Sequence, residues 1–273
     1  MKKIISILSL HLFISFAFAK ISVMATIPAF GLIAKDIGQD HIIVENLFDK
    51  PIDPHHFHLK PQQLSLINNS DLIIAAAEFS NKIPISSEKI ISLCFHGHPS
   101  CNHSHEEEHH HHDHDDSVTH EWLSFEHPVE LANKITEKLS SIDPSSADFY
   151  HHNLEKFKSK ILNLLNFYKN KQLIHKNIFF HDSFSHLKFE LDKDFGPGLY
   201  ACDEGTLSAS FLAELIENQK KYQFIIIDAT TNQLLLEKLE EKIKLPTKFL
   251  ETMGYGDYES FNSFLENILS SIA

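Results

Sequence analysis

The chain is predicted to be an α/β protein of two similar lobes, each with a parallel sheet, joined by one long rigid helix. Three observations predict this. Short β-branched runs that are continuously apolar, rather than alternating, alternate with amphipathic stretches, the pattern of strands covered on both faces by helices. The pattern occurs twice along the chain. Between the two groups runs one uninterrupted amphipathic segment from Pro144 to Lys171, with apolar Leu154, Phe157, Ile161, Leu164, Leu165 and Tyr168 at three- and four-residue spacing.

In chain order, residues 1–19 are set apart first. Lys2 and Lys3 precede an apolar stretch from Ile4 to Phe18, and Ala17-Phe18-Ala19 offers the small-x-small pattern of signal-peptidase cleavage. An apolar stretch of about fifteen residues is short of the roughly twenty that span a bilayer. The segment is therefore expected to be a cleaved signal peptide, with a soluble exported chain beginning at Lys20. The N-terminal lobe, 20–142, carries strand runs at 21–26, 41–47 and 71–77 and helical stretches at 27–37, 61–68 and 128–142. The spine, 143–172, is expected to open with Asp143 as cap and Pro144 in the first helical position. The C-terminal lobe, 173–273, carries strand runs at 177–182, 198–202 and 223–229 and helical stretches at 208–221, 231–243 and 258–271.

Charge narrows the function classes. The formal net charge is -13, and it becomes -15 once Lys2 and Lys3 are removed, which argues against nucleic acid or an anionic membrane surface and favours cations. Every basic residue is a lysine, so no guanidinium is present to clamp a phosphate or carboxylate. Of the three cysteines, Cys94 and Cys101 could close a short loop in an oxidising compartment or serve as thiolate ligands, with Cys202 left as a free or buried thiol.

Nine of the 21 histidines fall between His96 and His114, inside the low-complexity segment 96–117. His103, His105, His109, His110, His111, His112 and His114 alternate there with acidic residues. Such a tract cannot bury enough apolar surface to offset its ordering entropy, so it is expected to be disordered without metal. Its imidazoles form weak, rapidly exchanging sites that either raise the local metal concentration or sense abundance. The histidines outside it are more informative. His55 follows the strand run 41–47 and the turn Asp53-Pro54, His181 ends the strand run 177–182, and His120 precedes a helix expected to be capped by Ser124. Ligands of open α/β sheets gather at the carboxyl ends of strands, so two facing lobes would bring these three together. His56, His58, His127, His151 and His152 have no comparable setting and read as structural.

Three blocks carry a family resemblance. "DPHHFHLKPQQLSLINNSDLIIAAA", "HEWLS" and "FFHDSFSHL" resemble, in order, three motifs of the metal-binding solute receptors of ABC transporters, the cluster A-I group. The His-rich insertion before "HEWLS" is similar to that of the periplasmic zinc receptors, ZnuA-like, within it. The resemblance spans nearly the whole mature chain. It implies His55, His120 and His181 as metal ligands and puts Glu251, in "FLETMGYG", where the family usually has Asp; either Glu251 or water completes the set. Asp228 matches an acidic residue expected to orient a ligand or hold structure. Three imidazoles with at most one carboxylate suit tetrahedral Zn²⁺, whereas manganese prefers more oxygen. Neutral imidazole is the ligating form, so affinity should fall below about pH 6.5. The expected partners are a membrane permease and, through it, a cytoplasmic ATPase, with the chain a periplasmic monomer and not an enzyme. The alternatives are a manganese or iron receptor of the same family, a His-rich metal buffer, and a secreted zinc hydrolase with Glu121 as its only candidate base.

Overall fold

The computed structural model describes residues 20–48, 50–51, 58–76, 83, 87–93, 120–200 and 207–273. The signal segment, His55, the His-rich tract and all three cysteines lie outside them. The first lobe contains β1 (Ile21–Ala25), α1 (Pro28–Gly38), β2 (Ile42–Asn46), α2 (Pro61–Asn69), β3 (Leu72–Ala76) and β4 (Ile90–Leu93), followed by α3 (Glu126–Ile142). The spine is α4 (Ala147–Asn170). Then come β5 (Lys176–His181), α5 (Ser185–Leu191), β6 (Gly198–Tyr200), α6 (Ala209–Asn218), β7 (Tyr222–Ile227), α7 (Gln233–Glu240), β8 (Thr247–Phe249) and the closing helix α8 (Phe261–Ile272).

Both sheets are parallel, and their strand orders are the same: β2-β1-β3-β4 in the first lobe and β6-β5-β7-β8 in the second. The α/β reading with two similar lobes is therefore correct. Continuous apolarity is explained at β3, whose five residues are all buried. In the second lobe the two faces of the sheet divide between two cores. Phe179 and Ile226 join the large cluster that includes the first lobe and the spine, while Ile178, Phe180 and Ile225 join a smaller outer cluster with Leu215, Leu236 and Leu239. Period two along a strand thus sorts one set of side chains toward the first lobe and the other away from it.

The spine differs from its sequence expectation at its start. Pro144–Ser146 form a single 3-10 turn, and the α-helix proper runs 24 residues from Ala147, a length of about 36 Å. Asp143 does not cap that helix. Its carboxylate takes the Ser145 hydroxyl and, at 3.2 Å, the Tyr150 hydroxyl. These bonds hold Asp143 well below the usual carboxylate range, to about 2, with the Ser145 hydroxyl the largest cause. The spine buries Tyr150, Leu154, Phe157, Ile161, Leu164 and Tyr168. Phe157 meets Phe261 of α8 at 5.9 Å between ring centres, and Asn153 donates to the carbonyl of Ile37 in α1 at 2.9 Å. The closing helix therefore returns from the second sheet to lie against α1 and the spine.

Candidate metal centre

His181 is the last residue of β5 and shares the face of Phe179, so strand periodicity alone turns it toward the first lobe. Asp228 follows β7 by one residue. Because β5 and β7 are paired with Phe179 opposite Ile226, two residues further on bring His181 beside Asp228. The His181 Nδ1 lies 3.9 Å from one Asp228 carboxylate oxygen and 3.2 Å from the Ser183 hydroxyl. The other Asp228 oxygen accepts from the Thr230 amide at 2.9 Å, the Thr230 hydroxyl at 2.7 Å and the Thr231 hydroxyl at 3.4 Å. Burial opposes ionisation of Asp228, but the bond to His181, the threonine bonds and the nearby imidazoles outweigh it and hold the carboxyl below its ordinary value. The group is a fixed anion directed at Nδ1.

His120 comes from the other lobe. It opens the turn closed by the Leu123 amide on its carbonyl at 2.7 Å, just before α3, and it is 2% exposed. Its ring meets that of His181 edge to face, with 4.6 Å between centres. Trp122 meets the same ring at a tilt, with 4.8 Å between centres, and meets Phe30 of α1 edge to face at 6.0 Å. The Trp122 indole N–H donates to the carbonyl of Thr252 at 2.6 Å, so the residue that shapes the His120 pocket also fastens the second lobe.

Thr252 belongs to the loop that carries Glu251. The carboxylate of Glu251 folds back on this loop, accepting from the Met253 amide at 2.8 Å and the Gly254 amide at 2.7 Å. Met253 in turn accepts from the Ala29 amide at 2.9 Å. Gly254 has φ of +90°, and a Cβ there would lie 2.6 Å from the Ala29 nitrogen, so glycine is required where this loop presses on the start of α1.

Of the residues expected to surround a metal, then, His120 and His181 stand in ring contact across the lobe boundary, and Glu251 lies on the loop that Trp122 fastens. His55 and the seven histidines of the tract fall outside the described residues. Among the described residues, no three His, Cys, Asp or Glu side chains are gathered as a metal-holding group. Two of the cross-lobe contacts that sequence reasoning missed lie close to the site. One is the Trp122 to Thr252 bond. The other is Glu190 of α5, whose carboxylate accepts the amides of Phe125 at 2.8 Å and Glu126 at 2.8 Å and so caps α3 from the opposite lobe. Ser124, predicted as that cap, contributes only a 3.3 Å acceptor to the His127 amide. Partners 64 and 130 positions apart leave no local signal.

Comparison with known proteins is consistent with this arrangement. Residues 23–273 match the model of the family described as zinc-uptake complex component A periplasmic, ZnuA. A metal ABC transporter substrate-binding lipoprotein of Lactococcus lactis is 27% identical over 154 residues, 53% of this chain and 49% of that relative, so the match spans about half of the curated protein. A crystal structure of ZnuA superposes with a TM-score of 0.70 at 19% identity, covering 93% of this chain and 98% of that one. The solute-binding protein FpvC of Pseudomonas aeruginosa, solved in complex with Mn²⁺, gives 0.64 at 17% identity over 93% and 98%. At such identities the structural likeness speaks for the fold.

Proposed function

The chain belongs to the ZnuA family, zinc-uptake complex component A, periplasmic, and from that footing we propose that it is the metal receptor of an ABC importer with Zn²⁺ as its cargo. His120 and His181 supply imidazole from opposite lobes, His55 supplies the third, and Glu251 or water the fourth. One observation carries the reading: two imidazoles meet at 4.6 Å where the lobes face each other, with the ionised Asp228 beside one of them. With Nδ1 of His181 turned to Asp228 and Ser183, Nε2 is the nitrogen that would take the metal, and the carboxylate fixes that tautomer and strengthens the ligand. Imidazole-rich coordination favours zinc over manganese.

In this reading the His-rich tract feeds or senses metal beside the site, and residues 1–19 direct export to the periplasm. The spine and the closing helix join the lobes firmly, so release is a local disturbance by the permease rather than a wide hinge. The manganese or iron alternative stays in view because a protein of this fold was solved with Mn²⁺.

A chelator-competition titration of the chain from Lys20, beside a deletion of 96–117 and a His181→Ala variant, tests the proposal. Trp122, the single tryptophan, reports the cleft while the chelator reports total metal. One tight zinc site is expected to survive the deletion and vanish with His181→Ala. Tight binding that disappears with the tract and ignores His181 would make the protein a metal buffer.

A further inference from the structure

A second imidazole pair lies across the lobe boundary. His127, on the first turn of α3, meets His186, on the first turn of α5, with ring centres 4.7 Å apart and planes at 88°. Ser124 Oγ lies 2.7 Å from the Glu121 carbonyl and 3.0 Å from His127 Nδ1, so the hydroxyl ties the ring to the turn before α3. Directly alongside, Glu190 of α5 binds the amides of Phe125 and Glu126 at the head of α3. Two lobes thus meet through two rings and one carboxylate, and all three groups are partly or wholly withdrawn from water.

The charged groups around the rings are few. Glu126 and Glu130 lie on α3, Glu130 already pairs with Lys134 at 2.8 Å, and Glu190 faces them from α5. Both rings sit at helix starts, where the positive end of the dipole opposes added positive charge. That disfavours a bound cation and favours neutral imidazole.

We propose that the His127–His186 contact and the Glu190 cap form an acid-sensitive latch between the lobes: a proton taken up by either ring from solvent places a positive charge against the other ring in a partly buried contact, which parts and loosens α5 from the head of α3. The direction of titration agrees. Burial, and then the neighbouring His186, pushes His127 down to about 4 against the pull of Glu130, and burial pushes His186 down against the pull of Glu126. A depressed imidazole contributes stability that is fully present above pH 6.5 and is lost as pH falls toward about 4. Glu190, raised by burial, has the opposite sign: its contribution is present in acid and lost as pH rises through its raised value. The upper part of the window, just below pH 6.5, therefore belongs to the histidines. This latch is independent of the metal assignment and is tested in the metal-free chain.

Amide exchange at Phe125 and Glu126, corrected for intrinsic rates, is measured at pH 7.5 and pH 5 in the metal-free chain and in a double variant, His127→Phe with His186→Phe, which keeps two rings but takes no proton at either. Protection is expected to fall on the order of tenfold in the unsubstituted chain and by less than about twofold in the variant. Equal losses in both, or none in the unsubstituted chain, overturn the proposal. Should the double variant fail to fold, nitrogen-edited titration of the unsubstituted chain decides: His127 and His186 must titrate well below 6.5, and either ring titrating at its ordinary value overturns the latch.

Discussion

Asp228 places three donors from Thr230 and Thr231 on one carboxylate oxygen and leaves the other toward His181. Under the proposed metal assignment, a carboxylate held this way would orient His181 and set its tautomer without touching the metal. Asp228→Asn keeps the size and part of the hydrogen bonding but removes the charge. Zinc affinity is expected to drop about 10–100-fold in the chelator titration, with the melting temperature little changed. An unchanged affinity would remove Asp228 from the account. At this scale the sequence was informative where a residue's position on a strand decides its direction: His181 and Asp228 are both placed by strand ends. It was uninformative for Glu251, whose back-folding onto Met253 and Gly254 depends on the approach of α1 to that loop.

At the level of elements, the strands were legible because burial on both faces writes a continuous apolar run, and the boundaries observed differ from those expected by a residue or two. Two strands and one helix were not. β4 and β8 are only four and three residues long, and α5 is a seven-residue helix, too short to show a periodicity. The spine was legible through its stripe, while its opening turn was not, since Pro144 fits an α-helix start and a 3-10 turn equally well. The stripe makes a prediction about stability. Phe157 is buried between the spine and α8, and Phe157→Ala is expected to cost about 3–5 kcal/mol in denaturant unfolding. A loss below about 1 kcal/mol would mean that the spine is not fixed by the closing helix.

At the scale of the whole molecule, the two sheets share one strand order, the segments that follow β1 and β8 meet through the bond from the Ala29 amide to the Met253 carbonyl, and the large core runs without a break from the first lobe through the spine into the second. Twofold alternation in the sequence foretold two lobes. The facing of their edges came from analogy with open sheets, and the bonds that hold the edges together, Trp122 to Thr252 and Glu190 to α3, join residues with no local relation. Such contacts oppose a wide hinge: with core and hydrogen bonds crossing the boundary, opening would expose buried apolar surface. Among the described residues no helix is long and apolar enough to cross a membrane.

The central claim is that one tight metal site lies where His120 and His181 meet. Crystals of the chain loaded with one equivalent of zinc, with diffraction recorded on both sides of the zinc absorption edge, locate the ion directly. The account predicts a single strong anomalous peak within about 2.0–2.1 Å of an imidazole nitrogen of both His120 and His181. A peak elsewhere, with those two rings uncoordinated, would contradict it.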